Sequence, residues 1–146
     1  MIDNIDILLV EDNPADAELV IRALKNHNIH QRMHHVKDGE QALDFLFCRG
    51  KYSQRQEKSP VKVIFLDLKI PKVSGLEVLK EIKDNAQTRR IPVVVITSSA
   101  QDPDAQKAYE LGANGYVVKP VGFEDFINAI SSTGLFWLRV NEPPRS

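Results

Sequence analysis

The sequence lacks the features that mark secreted, membrane-spanning or nucleic-acid-binding proteins. Among 146 residues there is one cysteine, Cys48, which excludes an internal disulfide and a zinc site made of several cysteines. Lys and Arg total 19 against 20 Asp and Glu, and this balance argues against nucleic-acid binding through bulk charge. No apolar run approaches the roughly 20 residues of a membrane helix, and no secretory signal begins the chain. We therefore expect a cytoplasmic protein that binds neither membrane nor nucleic acid.

The length and composition are typical of a single globular domain. The chain is 42% hydrophobic and 27% charged, which supplies enough apolar side chains for a core and argues against an intrinsically disordered chain. A chain of this length holds one domain of common size. We therefore expect one domain over residues 1–146, with no room for a separate output domain.

Short β-branched apolar runs alternate with longer segments of helical period. The runs at 7–10, 63–66 and 93–96 are apolar at successive positions, as in strands buried on both faces of a parallel sheet. Weaker strand signals lie at 33–36 and 116–118, and helices are predicted from residue 14 and over 40–47, 75–83, 103–111 and 123–131. This alternation predicts an open, doubly wound sheet of five parallel strands with helices on both faces.

Polar side chains follow four of the predicted strands at their carboxyl ends, where sites form in such sheets. These side chains are Glu11 and Asp12, then Asp67, Thr97 and Lys119. Three carboxylates in one pocket repel one another, and a Mg²⁺ ion, which prefers oxygen ligands, would remove the conflict. Asp67 is then a candidate nucleophile that forms an aspartyl phosphate, with Lys119 offsetting the charge. Taken singly, each position also fits a helix cap or a solvated loop residue.

At these residues the sequence resembles the receiver domains of two-component response regulators. The resemblance covers about residues 5 to 133, and it rests on the segments 8–13, 65–68, 70–71, 75–79, 96–98 and 112–120. It implies the flavodoxin-like (βα)5 receiver fold and a single-domain phosphoacceptor switch rather than an enzyme. It also implies a sensor histidine kinase as the partner that supplies the phosphoryl group.

Carried over position by position, the resemblance assigns a role to each strand-end residue. Asp67 would be the phosphoacceptor, and Lys119 would pair with the phosphoryl group. Asp12, Asp67 and the backbone carbonyl of Lys69 would ligate Mg²⁺, while Glu11 would hold the metal mainly through water. The Lys69 side chain is larger than is frequent at this position, and it bears on the lifetime of the phosphorylated form.

The resemblance also implies a switch. Thr97 would move toward the phosphate and Tyr116 would turn inward behind it. The face formed by the fourth helix, fifth strand and fifth helix would change for partner binding, dimerisation or phosphorelay. The remaining segment, 134–146, would be a C-terminal extension.

A long polar segment at 48–60 and an apolar tail make the chain similar to the regulators that partner phytochrome photoreceptor kinases. The tail carries Phe136, Trp137 and Leu138. These three residues either form a homodimer contact or extend the last helix and fold back on their own domain, and the sequence leaves both open.

The same residues fit three other functions less well. An aspartyl-phosphate hydrolase of the dehalogenase class would want an acid where Lys69 stands, a scaffold without phosphorylation would have lost part of the site, and no Gly-rich loop supports a nucleotide binder. The basic residues of the 48–60 segment are most simply solvated; they are Arg49, Lys51, Arg55 and Lys58. Four histidines, His27, His30, His34 and His35, lack the helical spacing of a metal site, and His34 and His35 would face opposite ways on a strand.

Overall fold

Five short strands form one parallel sheet in the computed structural model, which describes residues 5–26, 32–56, 61–98, 102–119 and 122–140. The strands are β1 (Ile7–Val10), β2 (Met33–Val36), β3 (Val63–Leu66), β4 (Val93–Thr97) and β5 (Gly115–Val118). Their spatial order is β2-β1-β3-β4-β5, the flavodoxin-like order. Every residue of β1, β3 and β4 is buried, which explains the unbroken apolar runs. The predicted fold class is confirmed, and so is the weak strand at 33–36.

Four helices connect the strands, a fifth follows β5, and the first three begin at side-chain caps. The five helices are α1 (Pro14–Lys25), α2 (Gly39–Leu46), α3 (Gly75–Asp84), α4 (Asp102–Glu110) and α5 (Phe123–Leu135). The Asn13 side chain accepts a hydrogen bond from the backbone N–H of Asp16, and Pro14 opens the helix at the predicted residue. Asp38 and Ser74 cap α2 and α3 in the same way. Among the described residues, no helix combines the length and the apolar character needed to cross a bilayer.

The two faces of the sheet carry separate cores. Alternate residues of a strand point to opposite faces, so Leu8 and Val10 pack toward α2 and α3, while Ile7 and Leu9 pack toward α1 and α5. All four side chains are buried. The carboxyl ends of the strands are therefore fixed from both sides, which gives the residues that follow them a rigid base.

Glycine at position 75 lets α3 approach the loop that follows β3. A methyl group on Gly75 would meet the Leu68 Cα and would lie 2.6 Å from the Asp67 carbonyl oxygen. The Gly75 N–H also donates to the Leu68 carbonyl at 3.0 Å. The loop that carries Asp67 is thus held against the first turn of α3.

The segment after α2 packs more closely than the sequence predicts. Tyr52, in a 3₁₀ turn over Gly50–Tyr52, is buried, and so is Arg55. The Arg55 guanidinium lies 4.0 Å from the centre of the Phe45 ring and donates to the Phe45 carbonyl at 3.0 Å. The prediction of a solvated basic segment is wrong for Arg55, because a weakly hydrated guanidinium stacks on an aromatic ring. It is confirmed for the exposed Arg49 and Lys51, and Lys58 lies outside the described residues.

The end of the chain folds back on its own domain in part. Helix α5 runs to Leu135, four residues beyond the predicted end, and a π-helical turn follows over Phe136–Val140. Trp137 and Leu138 are half-buried against the core between the sheet and helices α1 and α5. Phe136 remains 45% exposed. Folding back therefore describes Trp137 and Leu138, while Phe136 is left on the surface.

Candidate functional site

Three carboxylates meet at the carboxyl edge of the sheet. Glu11 and Asp12 follow β1, and Asp67 follows the neighbouring strand β3. One oxygen from each of the three lies within 4.8 Å of the others. Glu11 and Asp67 are buried, whereas Asp12 is exposed. The sequence predicted that these three acids would come together, and the structure brings them together.

The ammonium group of Lys119 lies among these acids. Its Nζ atom is 2.8 Å from Glu11 Oε1, 3.1 Å from Asp67 Oδ2 and 2.7 Å from Asp16 Oδ2. The Lys119 side chain is only 11% exposed. Burial alone would lower the pKa of Lys119, but the three carboxylates outweigh burial and raise it above its ordinary value. Lys119 is therefore a permanent cation that partly neutralises the acid cluster.

Glu11 is the acid with the most perturbed charge. Its side chain is 3% exposed, its Oε2 accepts from the Asn13 N–H at 3.2 Å, and it faces the carboxylate of Asp67. Burial, followed by the hydrogen bond with Asp67, raises the pKa of Glu11 to about 7, although Lys119 acts in the opposite direction. Glu11 and Asp67 thus share the ammonium group of Lys119. A proton on Glu11 reduces the repulsion between the two carboxyl groups when no further cation is present.

Backbone hydrogen bonds hold the phosphoacceptor candidate and the lysine in place. The Asp67 N–H donates to the Val10 carbonyl at 3.0 Å, and the Lys69 N–H donates to Asp67 Oδ1 at 3.1 Å. The Lys119 N–H donates to the Thr97 carbonyl at 2.7 Å. Lys69 itself is exposed, so its side chain extends away from the buried part of the cluster. The part that the Lys69 carbonyl plays in metal binding stays a prediction.

The two predicted switch residues lie behind the site. Thr97 ends β4 and is fully buried. Tyr116, on the adjacent strand β5, is half-buried and packs against the core on the α2–α4 side, with its ring centre 6.4 Å from that of Tyr109. Their positions suit the predicted path from the site to the α4–β5–α5 face, and their roles as switches stay predictions.

Two further residues support the site, and the sequence did not single them out for it. His35, on β2, donates from Nε2 to the Glu11 carbonyl at 2.7 Å, which fixes the turn after β1. His34 points to the other face, as predicted, where its ring stacks on Phe45 and burial lowers its pKa. Asp16, in the first turn of α1, was not predicted for the site. No local signal marked it, because Asp12 lies before α1 and the two acids do not share a helix face.

The donor set suits a hard divalent cation. All three side chains that could share an ion are carboxylates, and oxygen is the ligand atom that Mg²⁺ prefers. The exposed position of Asp12 leaves the cluster open to solvent on one side. Glu11, Asp12 and Asp67 are the residues that would hold such an ion.

A flavodoxin-like sheet with an acid cluster and a buried lysine at its carboxyl edge defines the receiver class of α/β proteins. The sequence model of the response regulator receiver domain matches residues 7–131. The chain belongs to the response regulator receiver domain family.

Relatives of known description agree with this assignment. The chain is 42% identical over 133 residues to response regulator Rcp1 of Synechocystis sp. (90% of this chain, 88% of that protein). It is 40% identical over 138 residues to the probable methanogenesis regulatory protein FilR2 of Methanothrix harundinacea (94% of this chain, 86% of that protein). Two regulatory proteins with different names are thus about equally similar to this chain.

Solved structures of receivers resemble the chain over nearly its whole length. The crystal structure of the Mn²⁺-bound form of Rcp1 has a TM-score of 0.87 and 39% identity, covering 95% of this chain and 98% of that one. That of the phosphorylated cyanobacterial phytochrome response regulator RcpA has a TM-score of 0.87 and 36% identity, covering 95% and 97%. The family and its phytochrome-related members were both expected from the sequence.

Proposed function

We propose that this chain is a single-domain phosphoacceptor switch, with a receiver core over about residues 5–133 and an extension over 134–146. A sensor histidine kinase donates a phosphoryl group to Asp67 in the presence of Mg²⁺. The observation that carries the proposal is the joint placement of Glu11, Asp12, Asp67 and Lys119, which come from three different strand ends and meet at one point. A scatter of unrelated surface charges would not converge in this way.

The residues of the site divide the chemistry among them. A carboxylate oxygen of Asp67 forms a bond to phosphorus as the bond from phosphorus to the kinase histidine nitrogen breaks. When bound, Mg²⁺ supplies positive charge beside the transferring group. Lys119 donates hydrogen bonds to the phosphoryl oxygens from a position already 3.1 Å from Asp67. The Lys69 N–H holds the other Asp67 oxygen, so the carboxylate presents a fixed orientation.

The signal passes to the α4–β5–α5 face in this proposal. Thr97 moves toward the phosphoryl group, Tyr116 follows, and the populations of two packings shift. Large apolar side chains exposed on the described residues support this face as a contact surface. They are Tyr109 on α4, Val118 at the end of β5 and Phe136 after α5. Output is then protein binding, dimerisation or phosphorelay.

The similarity to the phytochrome response regulator RcpA supports a phytochrome-type kinase as the partner, and the proposal places both proteins in the cytoplasm. The similarity to FilR2 makes other sensor kinases the alternative partners, and the test must compare them with a phytochrome kinase. Phosphotransfer from a panel of purified histidine kinases, with a phytochrome kinase included, measures the preference directly. Transfer from the phytochrome kinase at a rate below that of the other kinases would refute this partner.

Phosphorylation of Asp67 is tested with a small phosphodonor. We expect acetyl phosphate with Mg²⁺ to add one phosphoryl group, seen in the intact mass, and we expect Asp67→Asn to add none. Asp84→Asn changes an exposed acid that pairs with Lys80 on α3, and it should be labelled like the native chain. Equal labelling of Asp67→Asn would remove Asp67 from the mechanism. Repeated turnover of small phosphate esters would instead favour the hydrolase alternative.

A homodimer through the C-terminal extension is the second part of the proposal. Phe136 is exposed beside the half-buried Trp137, with their ring centres 5.0 Å apart. Sedimentation of the native chain and of Phe136→Ser should show a dimer that the variant weakens. Because Phe136 is exposed, its replacement should leave thermal unfolding of the monomer nearly unchanged. A dimer of equal strength in the variant would place the contact elsewhere.

A further inference from the structure

Asp16 contacts the site lysine without belonging to the group of acids that could share a cation. Its Oδ2 lies 2.7 Å from Lys119 Nζ, the shortest of the three carboxylate contacts. It reaches the lysine from α1 and not from a strand end. The described residues that could hold a metal ion together are Glu11, Asp12 and Asp67. Asp16 therefore acts on the site through Lys119.

The hydrogen-bonding capacity of Lys119 is fully used. An ammonium group has three N–H donors, and here three carboxylates accept from them. A phosphoryl group on Asp67 brings further anionic oxygens that need the same donors. Asp16 and the phosphoryl group therefore compete for one cation, and their like charges also repel each other.

Asp16 has the opposite effect on the binding of a divalent metal ion, which it favours. By drawing the ammonium toward itself, Asp16 weakens the hold of Lys119 on Glu11 and Asp67, whose oxygens a divalent cation would need. The charge of Asp16 also attracts that cation. Both effects favour metal binding to the unphosphorylated chain.

We propose that Asp16 is a positioning residue that holds Lys119 back from the phosphoryl group and toward the rim of the site. In doing so it strengthens Mg²⁺ binding and weakens the phosphorylated state. This inference rests on the proposed function, because it assumes that Asp67 carries the phosphoryl group. Asp16 thereby sets how readily the switch turns on.

The test compares Asp16→Asn with a matched control on the same helix. Glu18→Gln removes one negative charge from α1 as well, but Glu18 is exposed and pairs with Arg22 instead of Lys119. The probes are Mg²⁺ alone, measured by calorimetric titration, and beryllium fluoride at saturating Mg²⁺, measured by ¹⁹F NMR. For Asp16→Asn we expect roughly three- to tenfold weaker Mg²⁺ binding and roughly three- to tenfold tighter beryllium fluoride binding. Glu18→Gln should change neither by more than about twofold.

Opposite shifts in the two affinities separate positioning from damage to the fold. A variant that is merely misfolded would lose affinity for both probes, and Asp16→Glu, which keeps the charge, should return both toward the native values. The inference is overturned if both affinities of Asp16→Asn fall, if neither changes, or if Glu18→Gln shows the same pattern. If the native chain itself fails to bind beryllium fluoride, the proposed function is refuted; if it binds and Asp16→Asn matches it, only this inference fails.

Discussion

Replacing Glu11 by Gln should change how the stability of the metal-free chain depends on pH. In the folded chain, burial and the neighbouring Asp67 raise the pKa of Glu11 from 4.5 to about 7. In the unfolded chain, the side chain ionises near its ordinary value. Between these two values the folded chain holds a proton that the unfolded chain has lost. Glu11 therefore supports folding most at low pH, and its contribution is lost as pH rises to about 7.

The size of the effect follows from the width of that interval. A difference from 4.5 to about 7 corresponds to about 3 kcal/mol, at roughly 1.4 kcal/mol for each pH unit. Asp12 is exposed and the Asp16 side chain is 31% exposed, so solvent reaches the rim of the cluster. Solvent screening therefore reduces this free energy. We expect about 2 kcal/mol to be lost between pH 4.5 and pH 8.

The assay is urea denaturation of the native chain and of Glu11→Gln, both in EDTA, at several pH values from 4.5 to 8. Trp137 is the only tryptophan, and it is half-buried, so its fluorescence reports unfolding. The difference between the two chains is the informative quantity. Contributions from groups that do not contact Glu11, including His34, whose pKa burial lowers, are present in both chains and cancel. The variant should gain about 2 kcal/mol relative to the native chain as pH rises.

Three results would refute this reasoning. A flat difference would mean that the pKa of Glu11 keeps its ordinary value in the folded chain, and that Lys119 balances burial and Asp67. A slope of the opposite sign would mean that the ion pair stabilises the fold. An equal slope in Glu81→Gln, which removes a charge from an exposed position on α3, would trace the effect to net charge alone.

Further changes test the metal site and the packing around it. Asp12→Ala should abolish the stabilisation that Mg²⁺ gives in thermal unfolding, and it should raise metal-free stability only slightly, because Asp12 is exposed; an undiminished response to Mg²⁺ would place the metal elsewhere. Gly75→Ala should lower the free energy of unfolding by about 1–3 kcal/mol, because its methyl group meets backbone atoms, whereas Gly115→Ala, with 3.6 Å of space, should cost under about 1 kcal/mol in urea denaturation. Arg55→Met should cost about 1–3 kcal/mol through the lost bond to an α2 carbonyl, against about 0.5 kcal/mol or less for the exposed Arg49→Met; equal losses would mean that burial of Arg55 contributes nothing.

The convergence of the site could be predicted because it follows from topology. Parallel strands end at the same edge of a sheet, so the residues after β1, β3 and β5 lie along that edge, and the long side chain of Lys119 reaches from β5 to the acids. Glu11, Asp12, Asp67 and Lys119 all stand at such positions. The prediction needed only strand locations, which the unbroken apolar runs supplied.

The residues that were missed depend on the angle and length of helices. Asp16 reaches Lys119 because α1 begins immediately after the acid pair and turns its first residues over the edge of the sheet. Arg55 is buried because the chain returns across the end of α2, where Phe45 offers both a ring and a carbonyl. No local pattern of the sequence contains either contact.

The end of α5 was predicted too early for a related reason. The stretch from 131 to 134 is polar and ends in glycine, which favours the end of a helix. In the structure, Ser131 is buried and donates to the Ala23 carbonyl at 3.3 Å, and Thr133 donates to the Ala129 carbonyl at 2.7 Å. Packing against α1 therefore satisfies the Ser131 hydroxyl, the preceding turn of α5 satisfies that of Thr133, and the helix continues past its local end signal.

The distribution of charge explains why one ammonium can serve both the resting fold and the switch. Glu11, Asp16 and Asp67 contact Lys119, and Asp12 lies near Glu11 and Asp67, so negative charge exceeds positive charge whether or not Glu11 keeps its proton. A divalent cation relieves the excess, and a phosphoryl group on Asp67 restores part of it. Lys119 then has two alternative anionic partners, Asp16 and the phosphoryl group. A switch between two states requires that the two arrangements differ by little in free energy. A site with balanced charge would hold Lys119 in one arrangement and would respond weakly to either event.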